Sequence, residues 1–374
     1  MPKPSEVSVP RRSRLQEILA LGRGHWDHDG YDPDAHRAFL LALQCKTPAM
    51  GGRLFASENE ERVFYNTCKS PACPSCGHWA TIQWQRERWC ALPEGTYLEI
   101  TLTMPNTLWG IFARNPRLCR KLSEIAARVI RSYARVRHGV EVGVMPVLHT
   151  FNGELLFKPH VHSLVTAGGL QSSRSRWHPR IYFDRKALVS SWQRLIIAIL
   201  REALATGQLE SKIAADVLES LLQHEETREW IAHVRAFAGK EHFLRYCGRY
   251  VRRPPIAKWR IRGIKDGFVT FWHKDKRLKR LITVRCTLEE FIDRWSKHIP
   301  KHYRHAVRHF GLFAPRRWPR VAAAIFTILG KKQRPRPKRL PWAIAIWQQF
   351  GRNPQLDRNS QPMKFVRHVA APAG

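Results

Sequence analysis

Apolar residues recur at helical spacing over residues 11–21, where Leu15, Ile18, Leu19 and Leu21 share a face, and Asp34 is placed to cap a second helix through Leu41 and Leu43. A short helix is predicted over 83–89, and alternation over 97–104, ended by Pro105-Asn106, predicts a strand. Residues 117–138 form a long amphipathic pattern, on Leu118, Leu122, Ile125, Ala126, Ile130 and Tyr133, and Gly139 stops it. Strands over 142–151 and 158–165 flank Asn152-Gly153, a strong hairpin-turn pair. Residues 184–240 read as helical, on Leu188, Trp192, Leu195 and Leu200, then Ile213, Val217, Leu221 and Leu222. A helix over 241–250 must end before Pro254-Pro255, because proline has no amide hydrogen and restricts the residue before it. Residues 258–261 and 268–273 predict a second hairpin, 281–286 a further strand, and Thr287-Leu288-Glu289-Glu290 a capping box that opens a helix through Trp295. Helices interleaved with antiparallel hairpins make the fold α+β.

Charge narrows the function. Lys and Arg number 64 against 30 acidic residues, a net charge of +34, which calls for a polyanionic partner, and nucleic acid is the usual one. A membrane is the rival, but no apolar run approaches the roughly 20 residues of a bilayer span. The N-terminal Met1-Pro2-Lys3-Pro4-Ser5 lacks a signal-peptide core, and residues 1–9 are expected to be disordered. A cytoplasmic chain keeps its thiols reduced, so clustered cysteines point to metal.

Cys45, Cys68, Cys73 and Cys76 fall within 32 residues, the last two as a Cys-x-x-Cys turn. Two thiolates in such a turn and two from nearby segments suit tetrahedral Zn²⁺. A redox role would need a surrounding βαβ pattern, which is missing. His78 is an alternative ligand. On the strand Lys158-Pro159-His160-Val161-His162, side chains two apart share a face, so His160 and His162 project together and can share a divalent cation. The hairpin brings His149 beside them, either as a third ligand or as a cross-strand hydrogen-bonding partner. Tyr246 and Tyr250 stand one helical turn apart, as nucleophiles or as packing. Arg245, Arg249, Arg252, Arg253 and Lys258 surround them as candidate phosphate contacts, and Trp259 and Trp272 could stack on bases.

These motifs, in this order, resemble the HUH two-tyrosine transposases of rolling-circle bacterial insertion sequences, relatives of eukaryotic Helitrons and plasmid replication initiators. The resemblance runs from about Cys45 to Phe313 and includes Cys45-Lys46-Thr47-Pro48-Ala49-Met50-Gly51-Gly52, Tyr65-Asn66-Thr67-Cys68, Cys73-Pro74-Ser75-Cys76, Thr101-Leu102-Thr103-Met104-Pro105, Leu148-His149-Thr150, Pro159-His160-Val161-His162, Tyr246 to Tyr250 with Arg253-Pro254-Pro255-Ile256, and Arg308-His309-Phe310-Gly311. It departs where the family has a His and a Cys after the Gly-Gly pair, here Arg53 and Ser57. It departs again at a closing Cys-x-x-Cys, here Asp357 and Ser360, so a C-terminal metal ribbon is expected to be absent.

The resemblance implies an antiparallel-sheet HUH nuclease core flanked by helices, an N-terminal zinc-binding module and a basic C-terminal tail. The corresponding division is 1–36 helical or disordered, 37–93 zinc module, 94–313 nuclease domain with a helical insertion at about 171–240, and 314–374 tail. It implies Tyr246 and Tyr250 as catalytic nucleophiles that form 5′-phosphotyrosine linkages. His160, His162 and His149 would hold a catalytic Mg²⁺ or Mn²⁺, although imidazoles by themselves favour softer ions. Implied partners are single-stranded DNA, element-end hairpins and target DNA, and the implied place is the bacterial cytoplasm, at the nucleoid. A plasmid replication initiator or relaxase of the same chemistry, and a DNA-binding regulator that does not cleave, are the competing readings.

Overall fold

The computed structural model describes residues 12–372 except 29, 172, 174–175, 249–250, 252–253, 276–277 and 300–306. The N-terminal stretch expected to be disordered lies outside the described residues. Helices α1 (Arg14–Leu21) and α2 (Pro33–Gln44) lead to a hairpin, β1 (Gly52–Ala56) and β2 (Glu61–Tyr65), and then to α3 (Pro74–Ala91). The cap of α2 is Asp32, whose carboxylate accepts from the Asp34 amide, rather than Asp34 itself, because Pro33 takes the first helical position. Helix α3 begins well before the apolar pattern does, since its first turn is set by Cys73 at the cap and Pro74 after it.

The centre is a five-stranded antiparallel sheet built from β3 (Tyr97–Leu102), β4 (Gly143–Phe151), β5 (Phe157–Thr166), β6 (Ala232–Phe237) and the short β10 (Phe310–Gly311), in the order β10-β4-β5-β3-β6. Helix α4 (Pro116–His138) and the helix Arg185–Ala205 cover one face, burying Leu98, Ile100 and Leu102 of β3 with Val144, Val161 and Val165. Gly139 ends α4 with φ +63°, a left-handed conformation that costs glycine little. The other face carries Tyr97, Met145, Val147, Leu164 and Phe237 beneath helix α5 (Lys240–Cys247).

The stretch expected as a helical insertion is therefore mixed. Its start forms two short strands, 169–171 and 177–178, and its end is β6, an edge strand of the central sheet. Only Ala232 and Phe237 are buried in β6, so the segment shows no clear period-2 apolar pattern and follows the helical block without a visible break.

A second sheet, β7 (Ile261–Lys265), β8 (Phe268–Lys274) and β9 (Leu281–Thr287), packs with helix α6 (Leu288–Ser296) against α1 and α2. Thr287 accepts from the Glu290 amide and caps α6 as its sequence predicts. The β4–β5 turn plugs into this core through Leu155, and Gly153 approaches His273 so closely that an added Cβ would collide with the imidazole ring.

The C-terminal segment does more than trail as a basic tail. Residues 331–341 form no helix or strand, but helix α7 (Trp342–Phe350) follows, and β11 (Lys364–Val369) pairs antiparallel with β1. A terminal ribbon is thus present although its cysteines are not. The sheet order β11-β1-β2 joins the two ends of the chain.

Candidate functional site

Four sulfurs meet where α2 ends and α3 begins. Cys45 caps α2, Cys68 follows β2, Cys73 caps α3, and Cys76 lies in its first turn. All four are buried. The Sγ–Sγ distances are 3.7 Å for Cys45–Cys76, 3.6 Å for Cys68–Cys76 and 3.9 Å for Cys73–Cys45. A tetrahedral ion with Zn–S bonds of about 2.3 Å requires sulfurs about 3.8 Å apart, so the donor set fits zinc. Hydrogen bonding among the four close sulfurs holds the Cys73 thiol far below the usual range and pushes those of Cys68 and Cys45 well above it, so proton loss from this set starts at Cys73. His78 is exposed on α3 and is outside the cluster.

The positions that depart from the resembled pattern also meet. Ser57 Oγ donates to Asp357 Oδ2 at 2.8 Å, and the Asn359 and Gln361 amides donate to Oδ1 at 2.9 and 2.8 Å. Arg53 lies over the Trp342 ring at 4.4 Å. A polar knot and a cation–π contact fasten β11 where thiolates and an imidazole are lacking.

The second cluster is on the open end of the central sheet. His149 pairs across from His160 and Val147 from His162, so all three imidazoles occupy one face. Their ligand atoms lie within 4.8 Å of one another. His160 Nδ1 donates to the Lys158 carbonyl at 2.8 Å, and His162 Nδ1 bonds Glu99 Oε1 at 2.6 Å. With Nδ1 so engaged in the His160 and His162 rings, Nε2 is the nitrogen each could offer a metal. Glu99 is 4% exposed, in the middle of a wholly buried strand, and also accepts from Thr101 Oγ1 at 3.0 Å. Motif reasoning misses Glu99. Its signal is a carboxylate inside an apolar strand, which requires a partner. A divalent cation fits this donor set.

Tyr246 rides on α5 over the same face. Its ring packs on Phe237 at 4.9 Å and beneath the Arg235 guanidinium at 4.5 Å, and Arg235 pairs with Glu99 in the strand register. The helix is held from below. The buried Lys240 Nζ donates to the Trp89 and Leu92 carbonyls at 2.9 and 3.0 Å and pairs with Glu94 at 2.8 Å. Gln85 Nε2 donates to the Leu244 carbonyl at 2.9 Å. Helix α3 thus spans from the cysteine knot to the tyrosine helix. Tyr250, Arg249, Arg252 and Arg253 lie outside the described residues. Arg245 is exposed and paired with Glu241 at 2.7 Å, and Lys258 is exposed in the turn before β7.

Fold and clusters define an α+β protein with a zinc-type cysteine knot and a histidine-lined sheet. The family described as "Transposase zinc-binding domain" matches residues 20–104, and the family described as "Putative transposase" matches residues 143–320. "Putative transposase y4qJ" of Sinorhizobium fredii is 30% identical over 315 residues, 79% of each chain. The "Transposase for insertion sequence element IS801" of Pseudomonas savastanoi pv. phaseolicola is 30% identical over 285 residues, 73% of this chain and 69% of the relative. The chain belongs to the IS91-type family of rolling-circle transposases with an N-terminal zinc-binding domain. No solved structure matches it. The cysteine knot lies within the matched zinc-binding domain, which supports a structural Zn²⁺ there, and DNA is the partner of such a protein. Among the described residues, no helix is long and apolar enough to cross a membrane.

Proposed function

We propose that the protein nicks and rejoins single-stranded DNA at the ends of its insertion sequence through 5′-phosphotyrosine linkages. The observation that carries this reading is the triad of His149, His160 and His162 on the sheet face that α5 covers with Tyr246. A divalent cation held by the triad would polarise a non-bridging phosphate oxygen and offset charge in the transition state. Glu99 and the Lys158 carbonyl hold the two imidazoles of β5 in one tautomer and orientation.

Tyrosine is a poor nucleophile near pH 7, so it must be placed in line and must lose its proton as it attacks. Phe237 and Arg235 fix the Tyr246 ring, and a guanidinium over the ring favours the phenolate that develops. The tyrosine oxygen forms a bond to phosphorus as the bond to the 3′-oxygen breaks, and that oxygen leaves as a hydroxyl. The new ester conserves the phosphodiester, so a 3′-hydroxyl can reverse the step on another strand without ATP. Tyr250, four residues on in the sequence, supplies the second linkage that strand transfer requires.

The test is cleavage of a labelled single-stranded element end in Mn²⁺ by wild type, His160→Ala and His162→Ala. We expect the variants to lose cleavage by at least about 10²-fold and to keep DNA affinity within about threefold, because the missing interaction acts in the transition state. Undiminished cleavage by either variant would contradict the reading.

A further inference from the structure

A cleft of about 1800 Å³ runs between the zinc module, the N-terminal half of α3, the end of α5 and the C-terminal segment. Small-molecule pockets occupy roughly 300–1,000 Å³, so the cleft is sized for a polymer. Two tryptophans from separate segments of the chain line it, Trp259 at 55% exposure and Trp347 at 53%. Large aromatic faces left this open in a folded protein are typical of stacking platforms. Tyr65 of β2 lines the wall of the same cleft.

The charges agree. Lys258, Arg245 and Arg352 line the cleft and are exposed, and among the described residues neither Lys258 nor Arg352 has a carboxylate partner. Cations beside open aromatic rings suit a chain that alternates phosphates and bases. A duplex hides its base faces, whereas a single strand presents them.

We propose that this cleft is a single-strand DNA channel closed by the C-terminal segment, in which bases stack on Trp259 and Trp347 and phosphates meet Lys258 and Arg352. It rests on the nicking reading for its direction: Arg245 and Gly248, at the end of the tyrosine helix, line the cleft, so a strand lying in it passes the end of that helix. The pairing of β11 with β1 and the Ser57–Asp357 bond then have a further role. They hold the segment that carries Trp347 and Arg352 against the zinc-module hairpin, in the cleft that Trp259 also lines.

The experiment is fluorescence anisotropy on the full-length, zinc-loaded protein with a labelled mixed-sequence strand of about 20 nucleotides and its duplex, without added Mg²⁺ or Mn²⁺. For Trp259→Ala and Trp347→Ala we expect single-strand affinity to fall about tenfold each, and duplex affinity to change less than about twofold. Lys258→Gln with Arg352→Gln removes only surface charge, and we expect it to reduce the slope of log K against log salt by about 1.4, near 0.7 for each phosphate that is no longer neutralised. Unchanged single-strand affinity in both tryptophan variants, or an unchanged salt slope in the charge variant, would overturn the proposal. An equal loss for strand and duplex would do the same. Because this assay omits the cleaving metal, a failure of the nicking reading shows only in the separate Mn²⁺ cleavage assay, as absence of covalent adduct with binding and its tryptophan dependence intact.

Discussion

Glu99 on β3 and His162 on β5 are joined by a 2.6 Å hydrogen bond between a carboxylate oxygen and Nδ1, both residues being buried. This bond ties one histidine of the triad to the interior of the sheet. Outer carboxylates of this kind orient an imidazole and raise its basicity, and their loss weakens metal binding by about 10- to 100-fold. Glu99→Gln keeps the shape and one hydrogen bond, so we expect Mn²⁺ affinity, measured by calorimetry, to fall by about tenfold while the melting temperature moves little. Unaltered Mn²⁺ affinity would separate Glu99 from the metal site.

The cysteine knot should hold one zinc per chain, countable by elemental analysis. Metal binding and folding are coupled at a closed four-thiolate site. We expect Cys73→Ser to abolish stoichiometric zinc and to expose α3 to proteolysis, and through Gln85 and Lys240 to loosen α5 as well. Zinc-free wild-type protein with four thiols that alkylate freely in the native state would contradict this.

His298 supplies a pH dependence. It is buried, with Nδ1 near Thr150 Oγ1 at 2.9 Å and Nε2 donating to the Leu155 carbonyl at 2.9 Å. Burial holds its pKa at about 4, below the usual 6.5. As pH falls below 6.5 the unfolded chain takes up a proton that the folded one refuses until about pH 4. Stability is therefore full above 6.5 and is lost between 6.5 and 4. Between about pH 7.5 and about pH 5 the loss is about 2 kcal/mol, since each pKa unit corresponds to about 1.4 kcal/mol. Denaturant titrations at the two pH values should show this difference, and His298→Gln should remove most of it.

Trp295 is wholly buried and stacks on Phe39 with ring centroids 5.5 Å apart, joining α6 to α2. Trp295→Ala should cost about 3–5 kcal/mol of stability. Urea unfolding monitored by circular dichroism would read it directly, and a loss below about 1 kcal/mol would mean that α1 and α2 dock independently of that core.

Local chemistry is what the sequence makes legible. The Cys-x-x-Cys pair, the His-x-His strand and the Thr287 side-chain cap each depend on residues a few positions apart and form as patterned. The hairpin signalled by Asn152-Gly153 instead closes over residues 152–156 with Leu155, rather than Gly153, at positive φ. Long-range pairings leave no such trace. Strand β11 meets β1 from the opposite end of the chain, and neither segment signals the other. Strand β6 lies on a sheet edge with two buried positions, too few for an alternating pattern to rise above the helices before it. Glu99 escapes notice because its meaning depends on His162 in a different strand.

Tyrosine attack stands at the centre of this mechanism, and the site of covalent attachment reports on it without an intermediary. Wild-type protein, Tyr246→Phe, Tyr250→Phe and the double variant would be incubated with a single-stranded element end and Mn²⁺, resolved under denaturing conditions and mapped by mass spectrometry. We predict a DNA adduct on Tyr246 or Tyr250 in wild type, adducts confined to the remaining tyrosine in each single variant, and none in the double variant, with strand affinity unchanged throughout. An adduct in the double variant, or cleavage by wild type that leaves no covalent linkage, would contradict tyrosine attack.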